Sequence, residues 1–501
     1  MQAAVAANPH MIAARLTSPS LTNYALAGVA VALLVTVSMA VNTQCCHWFV
    51  IPVALCGVLT GADVVAWLRR GLDTFDPKAI VGILWLHATF LAPLIHIGLE
   101  AHTREFDVDV QDWPTWFGRM ALLNLAGLIL YKFFQHYAFT RSRPTRSARV
   151  ILDARFSIVL LLAITVSAVA AAVVLFRYGG LRKESEAILF GGEELVHLSW
   201  LLMLGDPVAL LLSVGVVRIL SDPRRRRSAA TVGAVLAVLL VGQFLLLGLR
   251  GSRSAVIWVV FLTAALCHYR LRRIPVTWLL IGVLVLGVGG YYYSFFKRFG
   301  MTGFEAISNP QFRETLEARS GISPVGVLLG DLSRAEMQAF LLHRLVEGPD
   351  DYQLRLGKTY VISLLTVVPR AAWPDKPSGL HGKVGAGTAL QHGEGSYRPG
   401  RFESSRVYGL AGEAMLNFGQ AGAVGAFLLY GIMLGWYRKK MLTLHPDDAR
   451  VYLVPLLTLV AITATFGDSD NTMYLFLKDG VLLTIVVWLS SIRLASRPVT
   501  R

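Results

Sequence analysis

Runs of about twenty mostly apolar residues, separated by short polar stretches rich in arginine, recur along almost the whole chain. A helix of roughly that length crosses the hydrocarbon core of a bilayer, so each run predicts a transmembrane helix. The first six are Leu21–Val41, Trp48–Trp67, Ala79–Leu99, Trp116–Phe134, Phe156–Phe176 and Trp200–Leu220. Ala230–Leu249, Ala255–Tyr269, Val276–Phe296, Gly412–Trp436, Val451–Gly467 and Tyr474–Ile492 follow, the eighth being the shortest. The pattern therefore predicts an all-α polytopic membrane protein with about twelve spans. One long polar stretch, 297–411, interrupts it and divides the chain. A tail (1–20) precedes a nine-span region (21–296); the large loop (297–411) leads to a three-span region (412–492) and a tail (493–501). The first run lacks a small-residue cleavage site and reads as a retained span. There is no internal repeat and no low-complexity segment.

Composition agrees. Apolar types make up 54% of the 501 residues, charged types 16%, and mean hydropathy is +0.55. That much apolar sequence cannot be wrapped in so little charge without lipid as part of the solvent. The net charge of +15 resembles a nucleic-acid footprint in size, but its members sit in clusters between spans, as at Arg224–Arg227 and Arg438-Lys439-Lys440. Clusters placed so are orientation signals. Cys45, Cys46, Cys56 and Cys267 form no metal-type pair. With the N-terminus inside, the inner segments hold about 23 Lys and Arg and the short outer loops about six. Both termini are thus expected in the cytoplasm and 297–411 outside, in the periplasm or at the cell exterior.

Ionisable groups inside spans cost about 2.5–3.5 kcal/mol each on insertion, which makes them functional candidates. On this topology most gather toward the outer leaflet: His96, Arg119, Asp206, the Arg250-Gly-Ser-Arg253 turn, Glu413 with Asn417, and Asp468 with Asp470. Glu413 and Asn417 share a helical face through their four-residue spacing. Asp63, His87 and Asn124 are exceptions. A transporter would instead concentrate polar groups at the midplane and interrupt its spans there.

The loop carries about fourteen Lys or Arg against about eleven Asp or Glu, so it is no simple basic tail. Val325–Leu345 and Tyr360–Trp373 read as amphipathic helices. Prolines in Trp373-Pro-Asp-Lys376-Pro377 fix a rigid turn that can hold Arg370 and Lys376 beside the membrane. The run from Gly379 to Gly400 lacks hydrophobic periodicity and reads as irregular, a functional lid or a disordered segment. Its Gly382-Lys-Val-Gly385-Ala-Gly387-Thr388 has the wrong order for a nucleotide loop. His381 and His392 lack metal-site spacing, and no metal or cofactor is expected. Arg401, Glu403 and Arg406 then lead to Tyr408 and Gly412-Glu413.

Four pieces in order resemble the bacterial O-antigen and capsule repeat-unit polymerases (Wzy type). They are Gly248-Leu-Arg-Gly-Ser-Arg253, Gly330-Asp331-Leu-Ser-Arg334, Val368-Pro-Arg370 with Trp373-Pro-Asp-Lys376-Pro377, and Gly412-Glu413 with Asn417-Phe-Gly419. The resemblance covers nearly the whole chain, because that family also has about twelve spans, cytoplasmic termini and a large outer loop. It implies glycosyl transfer at the outer face of the bacterial cytoplasmic membrane. A glycan leaves its polyprenyl-pyrophosphate carrier and joins the non-reducing end of a new lipid-linked repeat unit, without nucleotide sugar or metal. A chain-length regulator and a flippase are the candidate partners beside the lipid-linked donor and acceptor; nucleic acid is not.

Such chemistry needs guanidinium groups around a departing pyrophosphate. Arg250, Arg253 and Arg370 are the first candidates, then Lys376 and Arg406, with Arg334, Arg401, Asn417 and Tyr408 as further substrate contacts. The acceptor hydroxyl needs a base. Glu413 is the first choice, and Asp331, Glu403 and His381 compete with it. Trp373, Tyr397, Phe402 and Tyr408 can stack on sugars or anchor the loop at the interface. The rival readings are an O-antigen ligase-like transferase and a transporter or flippase of lipid-linked oligosaccharides.

Overall fold

The computed structural model describes residues 19–101, 110–145, 147–180, 195–221, 237–238, 241–242, 253–348, 352–368, 372–373, 376–377, 382–396 and 406–494. Among them, ten helices are long and apolar enough to cross a membrane, which is the make-up of a multi-pass α-helical membrane protein. They are Leu21–Val41, Val50–Leu68, Pro77–Gly98, Trp113–Arg141, Asp153–Tyr178, Trp200–Leu220, Val276–Ser308, Gly409–Leu442, Ala449–Phe466 and Ser469–Leu489. The expected eighth span appears as the shorter apolar stretch Val256–Arg270. The expected seventh, Ala230–Leu249, lies largely outside the described residues.

These helices have no polar face to turn to water, so large apolar side chains stay outward where lipid would cover them; Leu33, Phe176 and Leu284 are examples. The centre is an aromatic cluster. Trp85 meets Tyr131 edge-on with ring centroids 4.6 Å apart, and Tyr430 at 5.4 Å. Trp113–Arg141 and Gly409–Leu442 form the most intimate helix pair, and small residues allow it. A methyl group at Gly431 or Gly435 would collide with the backbone of Tyr131 or Gln135. Small residues four apart permit such close approach in lipid, where burying apolar surface gives helices little reason to associate.

Charge pairs lock one end of the bundle. Asp76 is fully buried and accepts from Arg438 Nε at 2.9 Å. Asp63 pairs with Lys132 and, at 3.4 Å, with Lys78. Arg149–Ile151 and Ser491–Arg493 form a short antiparallel pair beside them. Arg438, which reads in sequence as part of an orientation-signal cluster, is therefore also a buried structural ion.

The opposite end carries the long loop. Its Pro310–Ser320, Pro324–Leu332, Ala335–Glu347, Lys358–Leu365 and Lys383–His392 segments are helical. The first predicted amphipathic helix, Val325–Leu345, is in fact two, broken at Ser333-Arg334; the second shortens to Lys358–Leu365. The run from Gly379 to Gly400 departs further from expectation, because Lys383–His392 is a buried helix. That helix is buried on all sides from Gly385 to Leu390, and the mostly small residues there give no hydrophobic period; Tyr408 packs on Gly387 so closely that no Cβ would fit.

Several spans are interrupted. His87–Leu91 and Phe476–Gly480 are π-helical turns, and a break at Asp206-Pro207 separates Leu195–Gly205 from Val208–Leu220. Ser167 donates to the carbonyls of Leu204 and Gly205 freed at that break, at 2.8 and 3.1 Å. In the sequence these points are marked by His87, by Asp206-Pro207 and by Lys478-Asp479-Gly480 within otherwise apolar runs.

Candidate functional site

The site begins with one glycine. In Gly409–Leu442, Gly419 has φ 65° and ψ −156°, a region that only glycine adopts without strain. The helix breaks there, leaving a half-helix, 409–418, whose last carbonyls need donors. An extended stretch of the loop supplies them. Arg355 N and Leu356 N donate to the carbonyls of Leu416 and Asn417 at 3.1 and 3.0 Å, and Tyr352 Oη donates to Leu416 O at 2.8 Å. Asn417 completes the joint. Its Oδ1 accepts from Gly357 N at 2.9 Å, and its Nδ2 donates to Thr359 Oγ1 at 2.7 Å and Glu413 O at 2.8 Å.

That joint places the start of Lys358–Leu365 against the face of the half-helix that carries Glu413. Glu413 is only 3% exposed. Its Oε1 accepts from Thr359 Oγ1 at 2.7 Å and Ser469 Oγ at 2.6 Å, and its Oε2 accepts from Ser469 N at 2.6 Å. Ser363, one helical turn beyond Thr359, donates to Ser469 Oγ at 2.7 Å.

The turn between the last two spans holds the other end of the half-helix. Asp468, 1% exposed, accepts from the backbone N–H of Tyr408 and Gly409 at 2.9 Å each, a carboxylate at a helix N-terminus. Lys383 Nζ lies 3.0 Å from Asp468 and 3.5 Å from Asp470. Burial pushes the Asp468 carboxyl above the usual carboxylate range, outweighing the opposite pull of Lys383. Burial also works against the Lys383 ammonium, but its two aspartates prevail and hold it above the ordinary lysine value. Between these elements lies a cleft of about 210 Å³, lined among others by Thr359, Ser363, Thr366, Lys376, Lys383 and Asp470. Pockets for drug-sized ligands run to roughly 300 Å³ and above, so this one suits a small polar moiety such as one terminal sugar.

Glu413 and Asn417 come together as their spacing predicts, but Asn417 spends its side chain on the protein. Arg334 does likewise: Nε donates to Phe466 O at 3.0 Å and Nη1 to Gly330 O at 2.8 Å, closing the end of the Ala449–Phe466 span. Tyr408 is fully buried. Lys376 lines the cleft, with its ammonium donating to Val368 O at 2.8 Å beyond the end of Lys358–Leu365. Arg406 is half-buried just before Tyr408. Asp331 lies in the last turn of Pro324–Leu332, and Arg253 opens the helix Arg253–Arg270. Arg250, Arg370, His381, Arg401 and Glu403 lie outside the described residues.

Thr359, Ser363, Ser469 and Lys383 were not singled out from the sequence as site residues. Hydroxyls carry no motif, and Lys383 sat in a run that reads as irregular. The one usable signal was the Asp468-Ser469-Asp470 turn, acidic and wedged between two apolar runs.

No family model, curated protein or solved structure matches this chain.

Proposed function

We propose that this chain is a membrane glycosyltransferase that polymerises polyprenyl-pyrophosphate-linked repeat units on the outer face of the cytoplasmic membrane. The observation that carries the reading is the pairing of a hydroxyl-lined cleft with a buried carboxylate, Glu413, at the loop-bearing end of an apolar bundle. Glycosyl transfer to a sugar hydroxyl needs a base beside the acceptor and a membrane edge for the lipid carrier. The cleft's own cations are committed: Lys383 to two aspartates, Lys376 to a backbone carbonyl. This favours the acceptor sugar as its occupant and leaves the donor pyrophosphate to the arginines singled out from the sequence.

A reconstitution tests the proposal. Proteoliposomes holding only lipid-linked repeat units are expected to yield a ladder of longer lipid-linked chains without nucleotide sugar. Glu413→Gln is expected to slow the ladder by about 100-fold or more, in line with removal of a general base. Transport of substrate across the membrane with no ladder would overturn the reading.

That outcome would favour the transporter reading, which one observation supports. Lys478, in the π-helical turn Phe476–Gly480, pairs at 2.9 Å with Asp206 at the Asp206-Pro207 break, both buried. Interrupted helices are a feature of transport sites, and ionisable groups buried inside spans mark substrate or ion paths. The polymerase reading is preferred because hydroxyls line an open cleft at the loop end and connect it to the buried acid.

A further inference from the structure

Glu413 is buried beneath the cleft and is not among the groups that line it. A base that removes an acceptor proton must be within hydrogen-bond reach of it or be linked to it through an intermediary. Hydroxyls supply the link. Ser363 lines the cleft and donates to Ser469 Oγ at 2.7 Å; Ser469 donates in turn to Glu413 Oε1 at 2.6 Å. Each hydroxyl in that chain can donate toward the carboxylate. The Ser363 hydrogen has a second acceptor, Tyr360 O at 2.9 Å, so the serine has one position that joins the chain and one that does not.

Thr359 also lines the cleft and donates to Glu413, but its oxygen already accepts from Asn417 Nδ2 at 2.7 Å. Taking up an acceptor proton there would disturb the joint that holds the half-helix. Asp470 lines the cleft too, and its side chain is 39% exposed. It is the direct rival, a carboxylate that needs no intermediary.

We infer that Ser363 and Ser469 form a two-hydroxyl relay that carries the acceptor sugar's proton from the cleft to Glu413. The inference rests on the transferase reading and specifies how its base works. In the step, the acceptor oxygen forms a bond to the anomeric carbon of the donor. The bond from that carbon to the phosphate oxygen breaks, and polyprenyl pyrophosphate leaves with the electron pair. The acceptor proton passes to Ser363, the Ser363 proton to Ser469, and the Ser469 proton to Glu413, which ends neutral. Ser363 is the group that touches substrate; Ser469 acts through it.

The ladder assay on full-length protein in proteoliposomes tests this with defined lipid-linked repeat units. Ser363→Ala and Ser469→Ala are each expected to lower kcat by about 100-fold or more while KM for the repeat unit holds within about threefold, as for a group acting in the transition state. Ser363→Thr and Ser469→Thr restore a hydroxyl and are expected to keep the rate within about threefold of wild type. Wild type is expected to show a curved dependence of rate on deuterium content, from more than one proton in motion, and the alanine variants to lose that curvature. A merely structural serine would not move this readout. A wild-type ladder left unchanged by both alanine variants would overturn the relay alone, and its abolition by Asp470→Asn in that case would name Asp470 as the base. Absence of a ladder from wild type would sink the relay together with the transferase reading.

Discussion

Asn417 and Lys383 show what single side chains do here. Asn417 satisfies Gly357 N–H, Thr359 Oγ1 and Glu413 O at once. Asn417→Ala strands buried polar groups, at about 1–3 kcal/mol each. It is expected to lower the melting temperature in detergent as well as slow the ladder. Lys383 is the cation of a buried pair, and breaking such a pair from one side costs about 3–5 kcal/mol. The sign of the pH effect follows from Asp468. Its folded pKa lies above the ordinary value of 3.8, so its contribution to stability is full below about pH 4 and is lost as pH rises through the folded pKa. Lys383→Met removes the group that pulls that pKa down and raises it further. The gap in melting temperature between wild type and Lys383→Met is therefore expected to hold steady near pH 4 and to widen as pH rises through the folded pKa of Asp468 in wild type. A constant gap across that range would refute the assignment of Asp468 as the responsible group.

At the scale of elements, two kinds of glycine shape the molecule. Gly419 permits the break that ends the half-helix, and Gly419→Ala is expected to cost about 1–3 kcal/mol in backbone strain. Because the break also positions Glu413 against Thr359 and Ser469, activity is expected to fall at temperatures where the variant remains folded. Gly435 serves close packing, since a side chain there would strike the Gln135 carbonyl. Gly425 lies in the same helix with open space beside its Cα. Gly435→Leu is expected to abolish recovery of folded protein, and Gly425→Leu to be tolerated, as judged by size-exclusion elution and thermal melts. Equal tolerance of both would mean that the two helices do not meet where described.

At the scale of the whole molecule, the charge alternation makes a claim about sidedness that labelling can check. Ala318 is exposed on a loop helix and Asp447 is exposed at the charge-locked end. In a background without the four native cysteines, Ala318→Cys is expected to react with an impermeant maleimide applied to spheroplasts. Asp447→Cys is expected to react only after permeabilisation. The reverse pattern would invert the membrane and remove the basis for placing the chemistry outside. The distribution of polar groups also divides by end. Pairs such as Asp76 with Arg438 are closed on themselves, whereas the loop end combines paired charges with hydroxyls that open on a cleft.

The amino-acid sequence by itself determined the helical class, nearly all the spans, the long loop and the shared face of Glu413 and Asn417. These properties follow from local composition and spacing, because lipid obliges each apolar run to satisfy its own backbone as a helix. It also marked Asp468 and Asp470 as charges at a span boundary. Only the tertiary structure decided that Glu413 meets Ser469 and Thr359, residues more than fifty positions away in either direction. It alone decided that Lys383 belongs to a buried helix and that Arg334, Asn417 and Tyr408 are tied to the protein. Small residues give no hydrophobic period, hydroxyls give no motif, and a helix break at Gly419 gives no local cue beyond a glycine. Their meaning comes from what packs against them, and that partner is supplied by chain far away in sequence.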